Sequence, residues 1–219
     1  MKLPNILIAA SLLVAAVGAQ AQNLVTNGSF EAITTANVAG QSPGTWDVYK
    51  SIVGWTGAPN IEVRDNVSGV AQDGGNFVEL DTHPTSYSSI TNSSMYQDIL
   101  GTGSVNLSFY FSARPGTGAT NDLGFSFGSY TDNNLLVGTS NNSGSHEWIH
   151  YTLNNFQLNA SGTTRLTFYA LGTADTYGGS LDNVSVTSVT AVPEPETYAL
   201  LLAGLGLIGA AVRRQKRAA

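Results

Sequence analysis

Along the middle of the chain, apolar positions come in short runs that alternate with polar ones. In "VNLSFYF", Val105, Leu107, Phe109 and Phe111 fall on one side, and Asn106, Ser108 and Tyr110 on the other. In "RLTFYAL", Leu166, Phe168 and Ala170 oppose Thr167 and Tyr169. A period of two predicts strands with one face toward a core and one toward water. "NLVTNGSF", "NFVEL", "DLGFSF", "NLLVGT", "EWIHYTL" and "LDNVSVTSV" read the same way. Gly- and Asn-rich stretches separate the runs, at 73–76, 101–104, 115–122, 141–147 and 159–164. These supply turns. No stretch between the two ends sustains a 3.6-residue period. Eight to ten antiparallel strands without helices predict an all-β sandwich.

The two ends break the pattern with unbroken apolar runs. At the N-terminus, Lys2 precedes twelve residues from Ile6 to Val17, nearly all apolar, and Ala19-Gln20-Ala21 follows. A positive start, a short apolar stretch and an A-x-A site predict a secretory signal peptide over 1–21. An N-terminal anchor helix is the alternative. At the C-terminus the apolar run is fifteen residues, Tyr198 to Val212, followed by Arg213, Arg214, Lys216 and Arg217. A span needs about 17–25 apolar residues, so 198–212 is expected as a short transmembrane helix with its basic end held in the cytoplasm. The alternative is a core helix, which, apolar all round, would have to be buried on every side. Pro193 and Pro195 cannot continue a ladder, so the sandwich is expected to end near residue 190.

Charge narrows the partners. Between Gln22 and Val192, four basic residues face thirteen acidic ones, a net charge of −9. Such a surface repels phosphate backbones, which argues against nucleic acid and suits divalent cations or neutral ligands such as sugars. The chain has no cysteine, which excludes disulfides, zinc thiolates and thiol nucleophiles. Asn-x-Ser/Thr recurs at Asn27, Asn66, Asn92 and Asn106. In a chain this rich in those residues it reads as composition.

The tail carries a resemblance. Val192-Pro193-Glu194-Pro195, a short apolar helix and a closing basic cluster resemble the PEP-CTERM sorting signal of Gram-negative bacteria. The resemblance implies processing by an exosortase, a membrane protease-transpeptidase, near the Pro-Glu-Pro element. It also implies an exported protein, held at least transiently in the membrane, then at the cell surface or in an extracellular polysaccharide or biofilm matrix. A GPI signal would end apolar, without the basic cluster. The domain over 22–190 resembles galactose-binding-like jelly rolls, among them carbohydrate-binding modules and DUF642 proteins. The similarity rests on "NLVTNGSFE" (23–31) and "GGSLDNVSVTSV" (178–189) at its ends. Between them, "GWTGAPNIEVRDN", "DGGNFVELD", "MYQDI", "LSFYFSARPG" and "HEWIHYTLNNF" follow in the expected order.

That resemblance implies a structural calcium site, carried onto Glu31 and Asp182. Two carboxylates plus backbone carbonyls can supply the six to eight oxygens calcium takes. Sugar sites on such folds use aromatic faces and polar side chains. Tyr87 and Tyr177, in Gly/Ser/Thr-rich loops, are the leading candidates, with Trp55 and Arg64 beside "GWTGAPN". Trp and Tyr are also common core residues. For catalysis, Glu62, Glu79, Asp81 and Glu147 offer carboxylates for a glycosidase pair. No sequence pattern pairs them, and no zinc pattern, nucleophile elbow or nucleotide loop appears. The reading is therefore a carbohydrate-binding protein rather than an enzyme. A structural matrix protein without a ligand site is the alternative, with a glycoside hydrolase behind it.

Overall fold

The structure, a computed structural model, describes residues 22–33, 39–42, 45–85, 89, 91–189 and 195–218. The strands are β1 (Ala39–Ser42), β2 (Trp46–Ile52), β3 (Trp55–Asp65), β4 (Asn76–Glu79), β5 (Ser94–Leu100), β6 (Ser104–Ser112), β7 (Leu123–Phe127), β8 (Tyr130–Leu135), β9 (Ile149–Gln157), β10 (Thr163–Ala170) and β11 (Ser180–Ser188). One helix, α1 (Pro195–Ala218), follows. All strand pairs are antiparallel, in the order β8-β7-β10-β5-β3-β4-β11-β6-β9, with β2 also on β3 and β1 on β2.

This is one ladder curled into two layers, and β3 makes the corner. Its first half, Thr56–Ala58, pairs with β5, and its second, Glu62–Asp65, pairs with β4. The sequence between is Pro59-Asn60-Ile61. Proline has no N–H for a ladder, so pairing with β5 stops there and the strand turns toward its second partner. The curled antiparallel sandwich agrees with the alternation along the chain.

The core lies between the layers. Phe109 of β6 meets Phe125 of β7 at 5.1 Å and Phe168 of β10 at 4.9 Å between ring centroids, both edge-on. Such pairs stabilise by about 0.5–1.5 kcal/mol beyond area burial. The alternate residues of β6, Val105, Leu107 and Phe109, are all buried.

The chain ends of the domain are adjacent. Leu24 N–H donates to the Val186 carbonyl, Val184 N–H donates to the Gly28 carbonyl, and Asn23 bridges Thr187. The first segment is not a regular strand, however, because Asn27 and Phe30 take positive φ and twist it out of the ladder.

In α1, Leu202, Leu207 and Ile208 are more than 60 % exposed, so it is not a core helix. Its apolar run is about 22 Å long at 1.5 Å per residue. Among the described residues no helix is long and apolar enough to cross a membrane. The expected membrane span over 198–212 is therefore not met. The expected signal peptide lies outside the described residues, as do Val192, Pro193 and Glu194 of the sorting motif. Pro195 opens the helix, and Arg213, Arg214 and Lys216 are exposed on its last turns, with Arg217 next in the helix.

Candidate functional site

The second face of β3 and β4 is buried too, and it is charged. Register sets Glu62 opposite Glu79 and Arg64 opposite Phe77, on the side away from Ile61, Val63 and Val78. Glu62, Arg64 and Glu79 are all 1 % exposed or less. Arg64 sits between the two carboxylates, 2.5 Å from Glu62 Oε1 and 2.8 Å from Glu79 Oε2. Both contacts are short ion pairs whose angles depart from hydrogen-bond geometry. Arg114 donates to Glu79 Oε1 at 2.9 Å, and His83 Nδ1 lies 3.0 Å from Glu62 Oε2. Two guanidiniums thus face two carboxylates, the balance that a buried charge layer requires. Burial pushes the Glu79 carboxyl upward, against the two guanidiniums that hold it ionised. Arg64 pulls against that rise, Glu62 adds to it, and Arg114 and the Gly178 N–H pull against it.

Loops roof this layer. His146 Nδ1 and Trp148 Nε1 both donate to the Val70 carbonyl, at 2.9 and 3.0 Å, the first fixing the imidazole tautomer. His146 Nε2 then accepts from the Ser180 hydroxyl at 2.9 Å. Burial holds the His146 pKa down at about 4, with a smaller push from Arg64 and Arg114 and an opposing pull from the Val70 bond. The imidazole is neutral at ordinary pH.

At the edge of the layer Arg114 reaches the surface and carries Tyr177. Its guanidinium lies 4.6 Å from the Tyr177 ring centroid, a cation–π contact. It also donates to the Thr176 carbonyl at 3.0 Å and to Ser68 Oγ at 3.2 Å. Asp81 holds the loop under the tyrosine, accepting from the Asp175 and Thr176 N–H groups at 2.8 and 2.7 Å. Gly178 is required there, since a Cβ would lie 2.3 Å from Asp81 N. Thr176 takes φ +70°, a conformation held by these bonds. Arg114 and Tyr177 border an open cleft of about 410 Å³ with Ser68, Thr117 and Ser143 on its other walls. Tyr177 is 47 % exposed. An aromatic face amid hydroxyls and one guanidinium can bind a polyol ring by stacking and hydrogen bonds.

The sequence-based candidates separate. Tyr177 is in this cleft. Tyr87 lies outside the described residues. Trp55 is 1 % exposed in the core, 5.7 Å from Phe30 and 6.1 Å from Phe168, with its Nε1–H donating to the Asn27 carbonyl. It has no ring face left for a ligand, which corrects its place among binding residues. Arg64 is likewise corrected: its guanidinium is committed to Glu62 and Glu79 beneath the surface. Glu31 and Asp182 are brought to one segment. Glu31 Oε1 accepts from Gly75 and Asn76 N–H at 2.9 and 2.7 Å, and Asp182 Oδ2 from Gln72 and Asp73 N–H at 2.7 and 2.9 Å. Sequence reasoning passes over Arg114. The available signal is an arginine directly before the turn Pro115-Gly116-Thr117-Gly118.

With the geometry in place, likenesses to known proteins can be read against it. Residues 191–217 match the PEP-CTERM protein-sorting motif. That motif implies an exported protein sorted through an exosortase. No curated protein matches the chain in sequence. Among solved structures, the Stig cyclase Fisc from Fischerella sp. TAU, in complex with an indole compound, is 13 % identical with TM-score 0.50. The match covers 77 % of this chain and 98 % of that one. The module TmCBM61 in complex with β-1,4-galactotriose is 16 % identical with TM-score 0.41, over 75 % of this chain and 97 % of that one. CBM35 from Paenibacillus barcinonensis is 18 % identical with TM-score 0.36, over 66 % and 99 %. At 13 % identity the likeness to the cyclase speaks to the fold alone.

Proposed function

We propose that this exported protein binds carbohydrate of an extracellular polysaccharide in the Arg114–Tyr177 cleft, its tail serving as an address. The observation that carries the reading is the exposed Tyr177 ring, fixed on a guanidinium and ringed by Ser68, Thr117 and Ser143. A rigid aromatic platform costs little entropy on binding, and the hydroxyls select orientation. The short apolar helix dwells at the membrane during sorting and is not a permanent span. The chain acts as a binder and not as an enzyme. Glu62 and Glu79 are locked against guanidiniums below the surface, so neither is free to work as a glycosidase acid or base.

A calcium ion between Glu31 and Asp182 belongs to the same proposal. Both carboxylates grip the 72–76 segment, and their oxygens keep lone pairs beyond the N–H bonds they accept. Among the described residues no three His, Cys, Asp or Glu side chains converge, so backbone carbonyls would complete the shell. The donor set, all hard oxygen, fits calcium, which would staple the segment. Chelation is expected to lower Tm by several degrees, and a Tm unmoved by EDTA removes this ion from the reading.

The test of the main proposal is a glycan array with the purified protein and its Tyr177→Ala variant. Binding to a polysaccharide that falls at least tenfold in the variant, with Tm unchanged, supports the cleft. No binding to any glycan, with concentration-dependent self-association instead, makes this a structural matrix protein. Release of reducing sugar would make it a hydrolase.

A further inference from the structure

Beneath the loop that carries Tyr177 lies a group of oxygens with too few donors. Asp81, two residues past the end of β4, is 1 % exposed. Its Oδ2 accepts the Asp175 and Thr176 N–H groups, while its Oδ1 is buried with no hydrogen-bond partner. Thr91, 6 % exposed, has its hydroxyl beside the Asp81 carboxylate, outside hydrogen-bond geometry. Asn92 pairs across from Asp81 as an antiparallel bridge, so the two side chains leave on the same side. Its Nδ2 donates to the Gly172 carbonyl at 2.9 Å, and its Oδ1 is buried without a partner. Both side chains therefore reach the 172–176 loop and turn an unpaired oxygen beneath it. The Asp175 carboxylate stands next to that of Asp81. Among the described residues neither carboxylate joins an ion pair.

Two adjacent carboxylates, one fully buried, with unpartnered amide and hydroxyl oxygens and, among the described residues, no ion pair, form an arrangement that burial disfavours unless a positive charge completes it. We propose that a divalent cation of the calcium class seats among Asp81, Asp175, Thr91 and Asn92 and pins the 172–178 loop. The ligands are all hard oxygens, which calcium takes in irregular geometry and thiolate- or imidazole-seeking metals do not prefer. Burial raises the Asp81 pKa, and the neighbouring Asp175 adds to the rise after Thr91 and the two N–H groups oppose it. A bound cation would reverse that. This site lies on a different loop from the one gripped by Glu31 and Asp182. It also stands apart from the carbohydrate reading: a chain that binds calcium here but no glycan keeps this inference and loses the other.

The experiment uses the full chain, stripped with chelator and titrated with Ca²⁺ by calorimetry, with Tb³⁺ luminescence sensitised through nearby aromatic rings as a second probe. The Glu31→Gln/Asp182→Asn double variant removes the other proposed ion. In that background one Ca²⁺ is expected to bind, and Asp175→Asn is expected to weaken it at least tenfold, with Asp81→Asn abolishing it. Should the double variant not fold, Asp175→Asn alone in the natural chain is expected to lower the Ca²⁺ affinity of one binding event and to reduce Tb³⁺ luminescence. Titrations unchanged by Asp175→Asn, or no Ca²⁺ bound in the folded double variant, overturn the proposal and leave ordered water as the occupant.

Discussion

The two faces of β3 are equally dry and chemically opposite. Ile61 and Val63 pack into the core between the layers, while Glu62 and Arg64 on the other side are just as deeply buried. The first face is held by non-directional burial, about 1.5–3 kcal/mol per side chain. The second is held only while every charge keeps its partner. Burial therefore does not identify a core; the chemistry of the buried groups does. The apolar face tolerates reshaping, and the charged face tolerates no deletion of one member.

This contrast can be broken in four ways. The largest effect is expected from Glu79→Ala, which leaves Arg64 and Arg114 without their shared carboxylate. It should cost about 3–5 kcal/mol in denaturant unfolding. A loss under about 1 kcal/mol would mean the layer is wet. Ile61→Ala, one position from Glu62, should cost about 2–5 kcal/mol through its cavity, and Ile61→Leu much less, whereas Glu79→Gln should recover little. The third is a pH effect. His146 is neutral in the fold down to about pH 4 and takes a proton near 6.5 when unfolded. At this residue the unfolded chain thus binds more protons between these values. The contribution of His146 to stability should therefore fall as pH drops from about 6.5 to 4, by up to about 3 kcal/mol. It is read as the difference from His146→Gln, because the raised carboxyls slope the other way. The smallest effect belongs to Arg165, exposed and paired with Asp98 at 2.7 Å. Arg165→Ala should cost no more than about 1 kcal/mol and less in high salt.

Much of the sandwich is legible in the sequence, because a strand's period of two is a local property. The alternation in β6 and β10 assigns Phe109 and Phe168 to the core directly. Glu62 and Arg64 show the limit of that reading. They occupy the polar phase of a strand, which predicts water, yet His83 bonds Glu62 from a distant loop and Trp46, packed on His83, lies 5.5 Å from the Arg64 guanidinium. Roofing is a long-range event without a periodic signature. An opposite-charge hint did exist, since an arginine between acidic residues on one strand seeks a carboxylate on the next. Tyr177 is legible from its Gly-Gly flank, which keeps bulky neighbours away. Trp55 is misplaced because an aromatic type alone does not tell a binding face from a core one, whereas Gly54 at φ +80° turns the chain and the indole lies inward. The unpaired oxygens of Asp81 and Asn92 cannot be read from spacing, because they are defined by what fails to reach them.

The corner strand has a mechanical consequence. Because β3 hydrogen-bonds into both layers, neither leaf can peel off without breaking its hydrogen bonds to a strand that the other still holds. The molecule is therefore expected to melt in a single cooperative step, with amide protons near Gly57 and Val63 exchanging at the same slow limit. A pull applied through the exported tail enters at β11, next to β4, and the load passes to that shared strand before it reaches the far leaf.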